Sequence, residues 1–205
     1  STNQINKITT EQIRTLSTFQ ISKIETRDIS NGLNSSQIFG LTTSQIKGFS
    51  TKQIIRFESI QISSIQTEVM SGINTNQISK INTNSIVGIT TEQMAVISGV
   101  QFAAFQTKQI KEFSSGQIKS IATSDISGLS SGAMVGMTSS QIAALTTEQI
   151  VRLSTLQVSV IETFDIAMGL RTAGIAALSV PIIKLASMLG IGGESSEETS
   201  AIEQG

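Results

Sequence analysis

Among its 205 residues the chain has no His, Cys, Trp or Tyr, so the usual general base, thiol nucleophile and soft-metal ligands are missing. Serines abound, but a serine nucleophile needs a base held beside it. The lysines fall at variable positions with no fixed relation to any serine. Asp28, Asp125 and Asp165 share a place in a repeating pattern yet lie far apart in sequence. Glu25, Glu58 and Glu162 share another, where the preference of helix N-termini for negative charge accounts for them. No glycine-rich phosphate loop, zinc spacing or calcium-loop pattern occurs. The residues therefore predict no enzyme: no catalytic, cofactor-binding or metal-binding site.

The composition narrows the partners. Only 14% of residues are charged and the formal net charge is −1, so the polar surface is built from Ser, Thr, Asn and Gln. That gives no basic footprint for nucleic acid. A weakly charged surface has little repulsion to keep copies apart, and leans toward self-association. With no cysteine, the redox compartment has no signature. The first ten residues lack the basic and apolar regions of a secretory signal peptide.

Positions of the same type recur every eight residues. An apolar column runs through Ile5, Ile13, Ile21 and Ile29, then Ile38, Ile46 and Ile54 and onward to Ile166. Every step is eight residues except 29 to 38, where the extra residue lies in Ser30-Asn31-Gly32. A second apolar column follows three residues later, from Ile8 and Leu16 to Leu153 and Ile161. Twenty-one such octads cover residues 1–170. Between the columns stand two mostly hydroxyl-bearing residues, a free position and a Gln. The Gln column holds Gln in fifteen octads and Asp in three, and breaks at Val69, Ser85 and Ala133. The second hydroxyl column is Ser or Thr everywhere except Gly99. A longer echo lies over the octads: Thr9–Leu33 returns as Thr146–Leu170, displaced by 137 residues.

These periods dictate the elements. One continuous helix is excluded, because eight residues over two turns is too far from 3.6 per turn to keep an apolar seam. Leu145-Thr146-Thr147-Glu148-Gln149-Ile150 reads instead as a short helix with its own capping box and hydrophobic staple. Which of the paired hydroxyls is the cap stays open, since the second is the more regular. Gly precedes the second apolar column in eight octads, from Gly32 to Gly169, and reads as a helix stop. The alternative is a β-solenoid with stacked Ile, Thr and Gln ladders. Against it, apolar spacings of three then five do not follow the two-residue alternation of a strand. The expected class is all-α, a solenoid of very short capped helices, in which stacking buries what one octad cannot.

"TSSQIAALTTEQIVRL", Thr138 to Leu153, resembles the "ALTTxQIAAL" octad arrays of very large bacterial proteins described as adhesin-like or haem-utilisation proteins. The resemblance spans most of residues 1–170. It implies an extracellular or cell-surface protein of a bacterium, exported without a cleaved N-terminal signal peptide. The haem part of that label does not carry over: without His or Cys, and with its six Met largely in apolar columns, the chain offers no axial ligand.

After Leu170 the octads dissolve. Residues 171–193 are mostly apolar, with only Arg171 and Lys184 charged, and read as a helix that caps the core or joins subunits. Membrane insertion is the weaker reading, and residues 194–205 form an acidic tail. At the other end the octads start at Ser1 with no polar capping unit, a surface suited to head-to-tail contact with another copy. Phe19, Ile60, Val100, Leu156 and Phe164 place apolar side chains in the free column, and Ile182, Ile183, Leu185 and Leu189 lie in the apolar segment. These nine are the candidate assembly contacts. The steps of about five octads between Phe19, Ile60 and Val100 would suit a five-octad coil. The expected function is a self-assembling filament or matrix protein; the alternative is a monomeric adhesin-type stalk or an ice-binding solenoid.

Overall fold

The computed structural model describes residues 1–168, with side chains through Ile161. Residues 169–205, including the expected joining helix and acidic tail, lie outside the described residues, as do the side chains of Phe164 and Asp165. The described chain is an all-α repeat solenoid with no strand in it. From Thr2–Ile5 to Thr147–Ile150, nearly every octad forms one α-helix of four to seven residues. The exception is the octad of Asp125, which forms the 3-10 turn Ile126–Gly128.

Each helix starts where the sequence places a cap. Thr146 is extended, at φ −78° and ψ 160°, and its hydroxyl accepts the N–H of Gln149 at 3.2 Å. The Gln149 side-chain oxygen in turn accepts the N–H of Thr146 at 2.9 Å. Two of the four N–H groups that a helix start leaves without a partner are thereby satisfied. The first hydroxyl of each pair is the cap, and the same box closes at Thr9–Gln12, Thr42–Gln45 and Ser98–Gln101. Helices this short are marginal in isolation, so packing must hold them.

The coil contains three octads. Helix Thr18–Ser22 packs on Thr43–Gly48, which packs on Thr67–Met70, and that stack continues through Thr91–Met94 and Ser115–Lys119 to Ser139–Ala143. A second stack runs from Thr10–Thr15 through Ser35–Phe39, Ser59–Ser63, Thr83–Ile86, Thr107–Ile110 and Ser131–Gly136 to Thr155–Met168. A third begins Thr2–Ile5, Thr26–Gly32, Thr51–Ile54. The five-octad coil suggested by Phe19, Ile60 and Val100 is therefore replaced by a three-octad one. Both apolar columns turn inward into one continuous core from Ile13 to Ile161. Phe49 and Phe57 meet edge-to-face within it, with ring centroids 5.1 Å apart.

Two local expectations change. Among the described residues the glycines do not end helices in the left-handed conformation: Gly40 sits at φ −73° and ψ −12°. They are small because the next coil is close. A Cβ on Gly88 would lie 2.1 Å from the Ser59 carbonyl oxygen, and one on Gly128 would lie 2.2 Å from that of Gly99. The Gly column of one coil thus rests on the second hydroxyl column of the coil before it. The other change concerns the last two octads, which merge into one 14-residue helix, Thr155–Met168.

Candidate functional site: the coil-to-coil contact

The Gln column is the most regular polar feature of the chain, and the coil shows what it does. From the second coil onward its glutamines are buried, Gln109 and Gln149 completely. While the oxygen of Gln149 closes its own cap, its Nε2 donates to the carbonyls of Ile118 at 3.0 Å and Ile121 at 2.7 Å. Those carbonyls lie at the C-terminal end of a helix in the preceding coil, where helices leave C=O groups without a partner. Gln45 reaches Ile13 and Leu16, Gln77 reaches Ile46 and Phe49, and Gln109 reaches Ile78 and Ile81 in the same way. One amide therefore caps its own helix start and an earlier helix end.

Two hydrogen-bonded functions explain the residue type. A capping box accepts Glu as readily as Gln, but a carboxylate has no donor for the carbonyls. The absence of Glu from the column is the sequence signal that the donor is used. Where the column breaks, the bonding changes. Ser85 keeps one bond, its hydroxyl donating to the Phe57 carbonyl at 2.7 Å. Asp125 accepts the N–H of Gly99 at 2.6 Å, and Asp28 accepts the Thr2 hydroxyl.

Some members of the second hydroxyl column also bond between coils. The Thr10 hydroxyl donates to the Ser36 carbonyl at 3.3 Å and that of Thr107 to Gly132 at 3.2 Å. The coil contact is built from amides, hydroxyls, carbonyls and apolar columns. Among the described residues, no three carboxylates gather as a metal site would require. The grooves beside Phe39 are lined mainly by Ser, Thr and Gln side chains.

This arrangement has a sequence counterpart among known repeats. Residues 118–155 match the ALTTAQ repeat. Over those residues the chain is similar to that repeat, and on the N-terminal side its octads continue the same pattern of short helices. No curated protein and no solved structure gives a significant match.

The candidate assembly contacts fall on different stacks. Phe19, Ile60, Val100 and Leu156 are all exposed. Ile60 and Leu156 share the second stack, where Phe39, Val87 and Val135 are also exposed. Phe19 lies on the first stack with Lys23 Nζ 4.9 Å from its ring centroid, and Val100 lies on the third. The structure thus adds Phe39, Val87 and Val135, which all come from the first variable column after the Gln. Phe164, Ile182, Ile183, Leu185 and Leu189 lie outside the described side chains. Among the described residues, no helix is long and apolar enough to cross a membrane.

Proposed function

We propose that this chain is a structural protein whose coils stack end to end with further copies into an extracellular or cell-surface filament of a bacterium. The observation that carries the proposal is the chemistry of the coil contact. It is self-complementary along the axis, with amides presented on one side of each coil and carbonyls on the other. Heterologous contacts of this kind extend without closing. The adhesin-like character of similar arrays supports the surface location. The ice-binding alternative is weakened by the first hydroxyl column, where Ser, Asn and Glu replace Thr freely although a lattice-matching face would need Thr throughout.

Negative-stain microscopy over a rising protein concentration tests the reading. Filaments one solenoid wide, lengthening with concentration, are the expected result. Discrete short rods at every concentration would defeat it.

A further inference from the structure

The joints between coils are not equally bonded. Gln109, Gln117, Gln141 and Gln149 each donate to two carbonyls, 31 and 28 residues earlier in the chain. From positions 125 and 133 the same relation points at the carbonyls of Met94 and Ile97, and of Phe102 and Phe105. Those positions hold Asp125 and Ala133, and among the described residues no side chain donates to any of the four carbonyls. Val69 and Ser85 also break the Gln column, but each stands between seated glutamines, and Ser85 keeps one bond. Only at 125 and 133 do two neighbouring octads lack the amide side by side.

The same two octads are weak in their own helices. The octad of Asp125 has Ala122 where a cap oxygen belongs, and it forms a 3-10 turn in place of a capped helix. One Asp125 carboxylate oxygen accepts the Gly99 N–H at 2.6 Å, and the other accepts the Ser124 hydroxyl at 2.7 Å. An acceptor thus stands where the neighbouring joints have a donor. In the next octad Ser130 accepts the N–H of Ala133 at 3.0 Å, but Ala133 has no side-chain oxygen to close the box. Across the joint, Gly99 is the break in the second hydroxyl column, so it has no counterpart to the bond from Thr107 to Gly132. The apolar columns run through unchanged, with Ile126, Leu129, Met134 and Met137 all buried. Polar bonding is therefore what sets this joint apart.

We propose that the solenoid opens first at this joint, where Ile126–Gly128 and Ser131–Gly136 rest on Gly99–Phe102 and Thr107–Ile110. Opening a joint hydrates its helix-end carbonyls, and that costs least where no amide bond has to be given up. The joint is a yielding seam built into the rod. Under bending or tension it gives way as a unit while the fully bonded coils beside it stay folded. This holds whether or not copies of the chain stack.

Native-state hydrogen exchange of the full chain, read by NMR, tests the seam. Each octad offers the same probe, an apolar residue whose N–H bonds to the cap-position carbonyl: Ile78 to Asn74, Met94 to Thr90, Ile126 to Ala122 and Met134 to Ser130. The amides of Ile126 and Met134 should exchange about tenfold or more faster than those of Ile78 and Met94. Ala122→Ser with Asp125→Gln restores the box and the donor in the first of the two octads. It should slow Met134 as well as Ile126, although Met134 lies outside the substituted octad. Fast exchange confined to Ile126 is fraying of one turn and overturns the seam. Rates at Ile126 and Met134 no faster than at Ile78 and Met94 overturn it too, as does a restored chain in which Met134 is unchanged. If the double variant does not fold, the wild-type rates decide alone.

Discussion

Thr9–Ile24 and Thr146–Ile161 are nearly the same sequence in two surroundings, one without a coil beneath it and one with. The caps do not register the difference. Thr9 and Thr146 adopt the same extended geometry, and both boxes close on Gln. The glutamines do register it: Gln12 and Gln20 are exposed, while Gln149 and Gln157 are buried and bonded to an earlier coil. Helix initiation is thus local and coil stacking is not, although one side chain serves both. The apolar columns do not share this division: Leu16 and its counterpart Leu153 are both half-buried.

The widest separation between the two regions is expected from Gln149→Glu against Gln12→Glu. At Gln149 the substitution removes two donors and leaves a carboxylate buried against carbonyl oxygens. The cost should be about 3–5 kcal/mol, the range for an unpaired buried charge. At Gln12 the Oε1 acceptor survives and the carboxylate faces water, so the change should stay within about 0.5 kcal/mol. Urea denaturation of both variants reads the difference. Equal effects would mean that the amide bonds to the earlier coil contribute nothing beyond the cap.

The two kinds of information differ in how far the sequence alone reveals them. Short helices, their caps and both core columns are legible because each signal fits inside eight residues. Leu145 to Ile150 spells staple, cap and box without reference to anything else. The number of octads per turn is not legible, because identical octads look the same whether three or five close a coil. Everything that depends on that number stays hidden with it. The second role of Gln149 needs Ile118, some thirty residues away, to be underneath. Gly88 reads as a stop until Ser59 is found against it. The candidate contacts suffer most. Ile60 and Leu156 share a stack and Phe19 and Val100 do not, which no spacing along the chain reveals until the coil is known.

Caps offer the converse test. Thr9→Ala and Thr146→Ala each delete one cap acceptor, for the N–H of Gln12 and Gln149 respectively. Each should cost about 1 kcal/mol, and the two should agree within about 0.5 kcal/mol despite their different surroundings. Thermal unfolding of the pair measures this. A much smaller loss at Thr9 would show that a cap matters only once a coil lies beneath it, and would blur the division between local and stacking roles.

The smallest effect is electrostatic and belongs to the exposed side of the same cap. The Glu148 carboxyl is held below its ordinary pKa, first by its own backbone N–H and then by the Thr146 hydroxyl. Glu92 is lowered in the same way, by its own N–H and then by the hydroxyls of Thr90 and Thr91. A depressed folded-state pKa means that the stabilisation is present above the unfolded carboxylate pKa and is lost as pH falls through the folded value. Both groups face water, so the contribution is small and screened. It is best read from the titration of the carboxyl itself. Carboxyl-resolved NMR should place the Glu148 midpoint below the ordinary carboxylate range, and Thr146→Ala should raise it partway back. The backbone N–H, which the substitution leaves in place, should hold it short of a full return. A midpoint that does not move in Thr146→Ala would remove the cap hydroxyl from the account of Glu148 and leave its charge answering to the helix start alone.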